Sequence, residues 1–242
     1  MKLFASCDSG YLRAHAPALI ASAACAETSL HLHVISPKEE DHEFLDHLSS
    51  RYHSIAGWPQ SDFTFSTAPM WAQNVGGDAL RTVYATDRFL SVMTQMIARP
   101  DQYLIIDTDC LIMKPISESS LHGDVGLFLR EPLPGTVGWE AQGTRCAAGA
   151  VYYSSRAISF AQAVANRIRQ GPIAWFLDQV AISETYENMK DSYNYQYFDS
   201  NFMDWEFKDG TTIWTGKGPR KYDNPTYVAK RSEEHTSELQ SH

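Results

Sequence analysis

Two aspartates one residue apart, Asp107 and Asp109, are the side chains in this sequence best placed to do chemistry. In a chain of 242 residues with 16 aspartates, about one such D-x-D pair arises by chance. Its setting singles it out. The β-favouring run Tyr103 to Ile106 leads into it, and Leu111-Ile112-Met113 and Lys114-Pro115 follow. Carboxylates that leave a buried strand are costly to desolvate unless a cation meets them. Mg²⁺ or Mn²⁺ meets that need, and both take diphosphate oxygens as further ligands.

The elements that must position this pair are legible as strand and helix patterns. Leu3 to Ser6 reads as a strand ending in the turn cluster Cys7-Asp8-Ser9-Gly10. Tyr11 to Ala26 reads as a helix, with a late start or a kink expected at Pro17. Leu30 to Ile35 alternates apolar residues with His31 and His33, a strand that Pro37 ends. Glu39 to Tyr52 has helical spacing, and Asp62 to Thr67 reads as a strand. Asp78 caps a helix predicted to run to Ala98, with Leu80, Val83, Phe89, Leu90 and Met93 on its apolar side. Further strands are expected at Val125 to Leu129, Ala147 to Tyr153, Tyr193 to Phe198 and Thr211 to Trp214. Further helices are expected at Ser159 to Arg169 and Ile173 to Tyr186, with the Pro- and Gly-rich text up to Gly143 irregular. This alternation predicts an α/β fold whose mostly parallel central sheet is flanked by helices. In such sheets ligands bind beyond the carboxyl ends of the strands, where Asp8 and Asp107 both fall.

Bulk properties narrow the partners. A net charge of −9 argues against nucleic acid and anionic lipid, since the only basic run is Lys217 to Lys221. No stretch approaches the ~20 apolar residues of a membrane span. The N-terminal apolar run, broken at Asp8, is too short for a signal peptide. Cys7, Cys25, Cys110 and Cys146 are scattered without metal-site spacing, so reduced thiols and a cytoplasmic location are expected. His31, His33, His42, His47 and His53 lack spacing with a metal partner and read as structural or surface residues.

Strand, D-x-D, apolar triplet and Lys-Pro together resemble the GT-A-fold glycosyltransferases, especially glycosyltransferase family 8 and its bacterial relatives. Further stretches agree, over residues 1 to about 221. Asp8 and Tyr11 in CDSGY are similar to the family's first loop, where such residues hold the nucleobase. Tyr84 and Arg88 resemble its helix ahead of the D-x-D strand, whose Arg reaches the donor. Asp124 sits like an Asp on the donor-sugar side, and Ala147-Ala148-Gly149 is similar to an Asn-Ala-Gly strand. Asp178-Gln179 looks like the Asp-Gln element that faces the reacting sugar, and Trp214 to Lys217 resembles the closing motif.

The resemblance implies a metal-dependent transfer of sugar from a nucleotide-diphosphate sugar, UDP-sugar foremost, to an acceptor hydroxyl with retention of configuration. The acceptor would be a glycan, a lipid-linked sugar or a small molecule. Asp107 and Asp109 would hold the metal. Asp8, Tyr11, Arg88, Asp107, Thr108 and Lys217 would bind the nucleotide and cofactor, and Asp124, Asp178 and Gln179 would act on the sugar. Lys217, Arg220 and Lys221 beside a diphosphate would neutralise the leaving group. Two departures stand out. The family's third metal ligand, a His expected near Trp214 or Thr215, is missing, so three alternatives stand: weaker metal binding, water as the ligand, or recruitment of Asp209 or Thr215. Ala147 also stands where the family has Asn.

Two other classes remain open. One is a nucleotide-sugar-binding protein without catalysis. The other is a haloacid-dehalogenase-like phosphatase, in which the first Asp is the nucleophile. That class needs an early motif and a later acidic pair, and this sequence contains no Asp-Asp pair. The segment 231–242, RSEEHTSELQSH, resembles the translation of a common DNA-sequencing adapter. Residues 1–230 are therefore expected to form the domain, truncated at its C-terminus, and 231–242 to be a non-native or disordered tail.

Overall fold

The computed structural model describes residues 1–53, 62–67, 75–216, 218 and 220–236. In chain order the elements are β1 (Lys2–Asp8), α1 (Ser9–Cys25), β2 (Leu30–Ile35), α2 (Glu39–His53), β3 (Asp62–Ser66), α3 (Gly77–Ala98), β4 (Tyr103–Ile106) and β5 (Leu111–Ile112). There follow β6 (Val125–Leu129), α4 (Gly138–Arg145), β7 (Cys146–Tyr153), α5 (Ile158–Gln170), α6 (Leu177–Met189), β8 (Tyr195–Tyr197), β9 (Met203–Asp204), β10 (Ile213–Trp214), α7 (Arg220–Asp223) and α8 (Pro225–Thr236).

The main sheet has the order β3-β2-β1-β4-β7-β6-β8, and β5-β10-β9 form a small second sheet. β1 pairs in parallel with β2 and β4, β2 with β3, and β6 with β8. Only β7 runs against its neighbours β4 and β6. The period of two along β1 sends alternate side chains to two cores. Leu3, Ala5 and Cys7 join Leu12, Leu19, Leu45 and Leu48 from α1 and α2. Phe4 joins Tyr103, Ile105, Phe89 and Val164 on the α3 and α5 face. Buried on both faces, these strands read as near-continuous apolar runs.

Several expectations shift at their edges. α1 runs unbroken through Pro17 and begins two residues earlier than its pattern suggests, because the Asp8 side chain accepts from the Tyr11 N–H and caps it. The text ending at Gly143, expected to be irregular, contains α4. A Cβ on Gly143 would lie 2.4 Å from Cβ of Phe176, so that glycine is a packing requirement and not a loop signal. α6 begins at Leu177, not Ile173, because Phe176 adopts a left-handed φ of 71°. α7 and α8 lie where no helix was expected, and α8 runs through residue 230 to Thr236. The four cysteines form no disulfide. Among the described residues no helix is long and apolar enough to cross a membrane.

His31 and His33 take structural places. His31 Nε2 and His33 Nδ1 both meet Thr64 Oγ1 at 2.8 Å, and His33 Nε2 meets Ser66 Oγ at 2.9 Å, stitching β2 to β3. Burial pushes the pKa of His31 down to about 4 and that of His15 down to about 3. The unfolded chain binds protons at both imidazoles near pH ~6.5, well before the folded chain does. Their contribution to stability is thus complete above that pH and is lost as pH falls, toward about 4 for His31 and about 3 for His15. Urea titrations are expected to show a lower midpoint at about pH 5 than at about pH 7, with a smaller difference in His31→Gln.

Candidate active site

The carboxyl ends of β1 and β4 bring Asp8 and Asp107 to one edge of the sheet. Beyond Ile106 the chain turns sharply, and Cys110 N–H donates to the Asp107 carbonyl at 3.1 Å. Thr108 Oγ1 donates to the Ser6 carbonyl at 3.0 Å, pinning the turn to β1. Thr108 therefore positions the pair from below.

Arg88 is the hub. α3 carries it to the underside of the turn, where it is 5% exposed. One terminal nitrogen lies 2.6 Å from Asp107 Oδ1. The other lies 2.9 Å from Asp178 Oδ2 and donates to the Ala148 carbonyl at 3.1 Å. Burial opposes its charge, but Asp107 and Asp178 hold the guanidinium above its ordinary value. Burial also raises the Asp178 carboxyl, against the pull of Arg88.

A second buried ion pair holds Asp109. Lys221 Nζ, on α7, donates to Asp109 Oδ2, and the ammonium lies 5.6 Å from the Tyr11 ring centre and 5.1 Å from that of Tyr222. Burial and then the charge of Asp107 push the Asp109 pKa up to about 6, with Lys221 pulling the other way. Burial works against the Lys221 charge, yet Asp109 keeps its pKa raised. Asp109 Oδ1 is buried without a hydrogen-bond partner. Gly216 makes the approach possible, since a Cβ there would lie 2.6 Å from Lys221 Cδ and 2.9 Å from Asp109 Oδ2.

The remaining expected residues divide. Tyr11 stands at this edge, 49% exposed, with its ring 4.8 Å from that of His15. Asp8 spends one oxygen on the α1 cap at 2.8 Å. Gln179 begins α6 beside Asp178, but, oriented by its neighbours, its amide nitrogen donates to the Gly143 and Cys146 carbonyls at 2.7 and 2.6 Å. That amide therefore ties α4 to β7. Ala147 is buried at the start of β7. Thr215, buried, faces Gly149, whose Cβ would lie 3.0 Å from Thr215 Oγ1. Asp209 is exposed on the turn before β10, at the end away from Thr215. Lys217 lies outside the described residues.

Asp124 does not join the site. It precedes β6, where Val125 pairs with Tyr153, and Tyr153 in turn pairs with Tyr103 at the start of β4. That edge is the opposite one, roughly 13 Å along the strand from the end of β4 at ~3.3 Å per residue. There Asp124 accepts from Asn194 N–H at 3.0 Å and faces Arg156 Nε at 2.8 Å, fastening β6 toward β8. Lys221, expected only as one of three basic residues beside a diphosphate, is central here, and its spacing alone did not distinguish it from Lys217. Among the described residues no group of three or more His, Cys, Asp or Glu could hold a metal, so no third ligand of those types accompanies Asp107 and Asp109.

No family model matches this sequence, and no curated protein sequence matches it. Solved structures do. Galactosyltransferase LgtC in complex with donor and acceptor sugar analogs is similar with a TM-score of 0.60 at 14% identity, over 98% of this chain and 96% of that one. Apo mouse xyloside xylosyltransferase 1 is similar with a TM-score of 0.51 at 13% identity, over 90% and 98%. The apo WbbM bifunctional glycosyltransferase gives 0.56 at 11% identity, over 96% of this chain and 44% of that one. At such identities the likeness is one of architecture. The chain has the fold of GT-A glycosyltransferases, a mostly parallel sheet flanked by helices.

Proposed function

We propose that this protein is an enzyme, a glycosyltransferase that moves a sugar from a nucleotide-diphosphate sugar, UDP-sugar foremost, to an acceptor hydroxyl with retention. The observation that carries this reading is the convergence of Asp107, Asp109, Asp178, Arg88 and Lys221 at the carboxyl edge of a GT-A sheet. A glycan, a lipid-linked sugar or a small molecule would serve as acceptor.

The donor set fits a hard divalent ion. Asp109 Oδ1 is buried without a hydrogen-bond partner, and Arg88 engages Asp107 through Oδ1. Mg²⁺ and Mn²⁺ accept one or two carboxylates and complete their shells with water and phosphate oxygens. Asp107 and Asp109 would hold such an ion, which when bound supplies charge stabilisation to a departing nucleotide. A third protein ligand is not required for that arrangement.

The chain's own groups have distinct parts. Tyr11 offers a half-exposed ring for the base, and Asp8 keeps one carboxylate oxygen beyond its cap for a base N–H. Lys221 brings an ammonium to the Asp pair, from which it reaches the diphosphate. Asp178 would accept from a sugar hydroxyl at Oδ1, the oxygen that Arg88 does not hold and that also takes the Gln179 N–H. Trp175, 66% exposed and three residues before Asp178, gives an acceptor ring an aromatic face.

Release of UDP from UDP-sugars with Mn²⁺ measures the activity directly. Asp109→Asn is expected to lower it by at least about 100-fold. Undiminished turnover by that variant in excess chelator would overturn the mechanism. Donor binding by the parent without turnover would mark a binding protein instead. Lys221→Met, with its fold verified by circular dichroism, is expected to lower kcat by about 10²–10³ and donor KM much less, as for loss of one group that stabilises leaving-group charge.

A further inference from the structure

Besides the ion pairs of its two carboxylates, three hydrogen bonds to its backbone or from Thr108 pin the D-x-D turn, and one of them comes from far along the chain. Thr108 Oγ1 to the Ser6 carbonyl and Cys110 N–H to the Asp107 carbonyl are contacts of the turn with itself and with β1. The third is the Tyr227 hydroxyl on α8, which donates to the Asp109 carbonyl at 2.7 Å. Tyr227 is 1% exposed. Its ring lies 4.7 Å from that of Phe207, within an apolar cluster that includes Ala18, Leu111 and Trp214. The hydroxyl is thus held on a rigid stem and aimed at the backbone of one residue.

The elements around it keep that aim. Asn224 Oδ1 accepts from the N–H groups of Thr226 and Tyr227 at 3.0 and 3.1 Å, fixing the start of α8. The Tyr222 hydroxyl meets His15 Nε2 at 3.0 Å, and Arg231 donates to the Ala14 carbonyl, so the α7–α8 pair is moored on α1. Lys221 on α7 already grips the Asp109 side chain. Carboxylate and carbonyl of the same aspartate are therefore both held from the C-terminal helices.

We propose that Tyr227 is a positioning residue, which orients Asp109 for its ligand by fixing the carbonyl of its peptide. This rests on the glycosyltransferase reading for what Asp109 binds, but not for the contact itself. A buried carbonyl that loses its donor must seek another by moving, and the turn carries the carboxylate with it. Tyr227→Phe keeps the ring and removes only the donor. Trp214→Phe is the matched control: it removes the Nε1 donor to the Lys208 carbonyl, 2.9 Å, from the same cluster without touching Asp109.

Amide exchange and Mn²⁺ titration in the presence of UDP are the readouts. Tyr227→Phe is expected to unfold cooperatively like the parent, yet to speed exchange at Asp109 and Cys110 by about tenfold and weaken Mn²⁺ by about 10-fold or more. Trp214→Phe is expected to leave both readouts within about twofold of the parent. The proposal falls if exchange at those two amides is unchanged in Tyr227→Phe, or if Trp214→Phe speeds it equally. Parent protein that binds neither Mn²⁺ nor UDP overturns the glycosyltransferase reading and leaves the positioning to be decided by the exchange rates.

Discussion

The fold is organised around one guanidinium. Arg88 bridges Asp107 beyond β4 and Asp178 at the start of α6, and reaches the Ala148 carbonyl on β7. Burying a cation costs several kcal/mol after relaxation, a cost that close and well-shaped partners offset. Arginine suits the task because its fork addresses several acceptors at fixed angles while keeping its charge. Remove it, and two carboxylates lose their counter-charge within an apolar shell. The strands of the main sheet can shift little relative to α3 without breaking one arm of this contact.

Charge counting ties that hub to the proposed chemistry. Asp107, Asp109 and Asp178 face two cations, Arg88 and Lys221. With all carboxylates ionised, one negative charge is left over before any donor arrives. The raised pKa of Asp109, about 6, reflects the same imbalance, with burial first and Asp107 second among its causes. A diphosphate brought beside this cluster makes the imbalance worse. Both terminal nitrogens of Arg88 are already engaged below by Asp107, Asp178 and the Ala148 carbonyl, so relief comes most directly from Lys221 leaving Asp109 for the phosphates, from a divalent ion, or from both.

Much of this was legible in the sequence. The strand before Asp107 and the placement of Arg88 and Asp178 came through family resemblance and apolar periodicity, and the structure brings the three together. Asp124 failed because a linear pattern does not state which end of a strand faces a site. It precedes β6, where the carboxyl edge is out of reach, and Asp107 follows β4. Lys217 and Lys221 are four apart in a short basic run whose spacing does not rank them, and it is α7 that carries Lys221 to Asp109. Tyr227 sends no signal at all: its contact spans 118 residues and involves a backbone atom. The strands β5 and β9 have two residues each, too few for a period of two to appear, while β10 falls inside the strand expected at Thr211 to Trp214.

The left-handed residue at Phe176 shows how local strain serves the hub. A non-glycine residue at φ 71° costs on the order of 1–3 kcal/mol and persists only where its surroundings fix it. Gly143 supplies the room against which the Phe176 side chain packs, and Trp139 Nε1 holds the preceding carbonyl at 2.8 Å. The sharp turn starts α6 at Leu177 and puts Asp178 in its first turn, where the helix dipole favours a carboxylate. Asp178 Oδ1 also accepts from Gln179 N–H at 2.8 Å, leaving Oδ2 to Arg88. A helix begun at Ile173, as its apolar pattern suggests, would put Asp178 in its second turn, away from the N-terminal end of the dipole. The strain at Phe176 is therefore what aims the second arm of the buried ion pair, and Gly143 is what makes that strain tolerable.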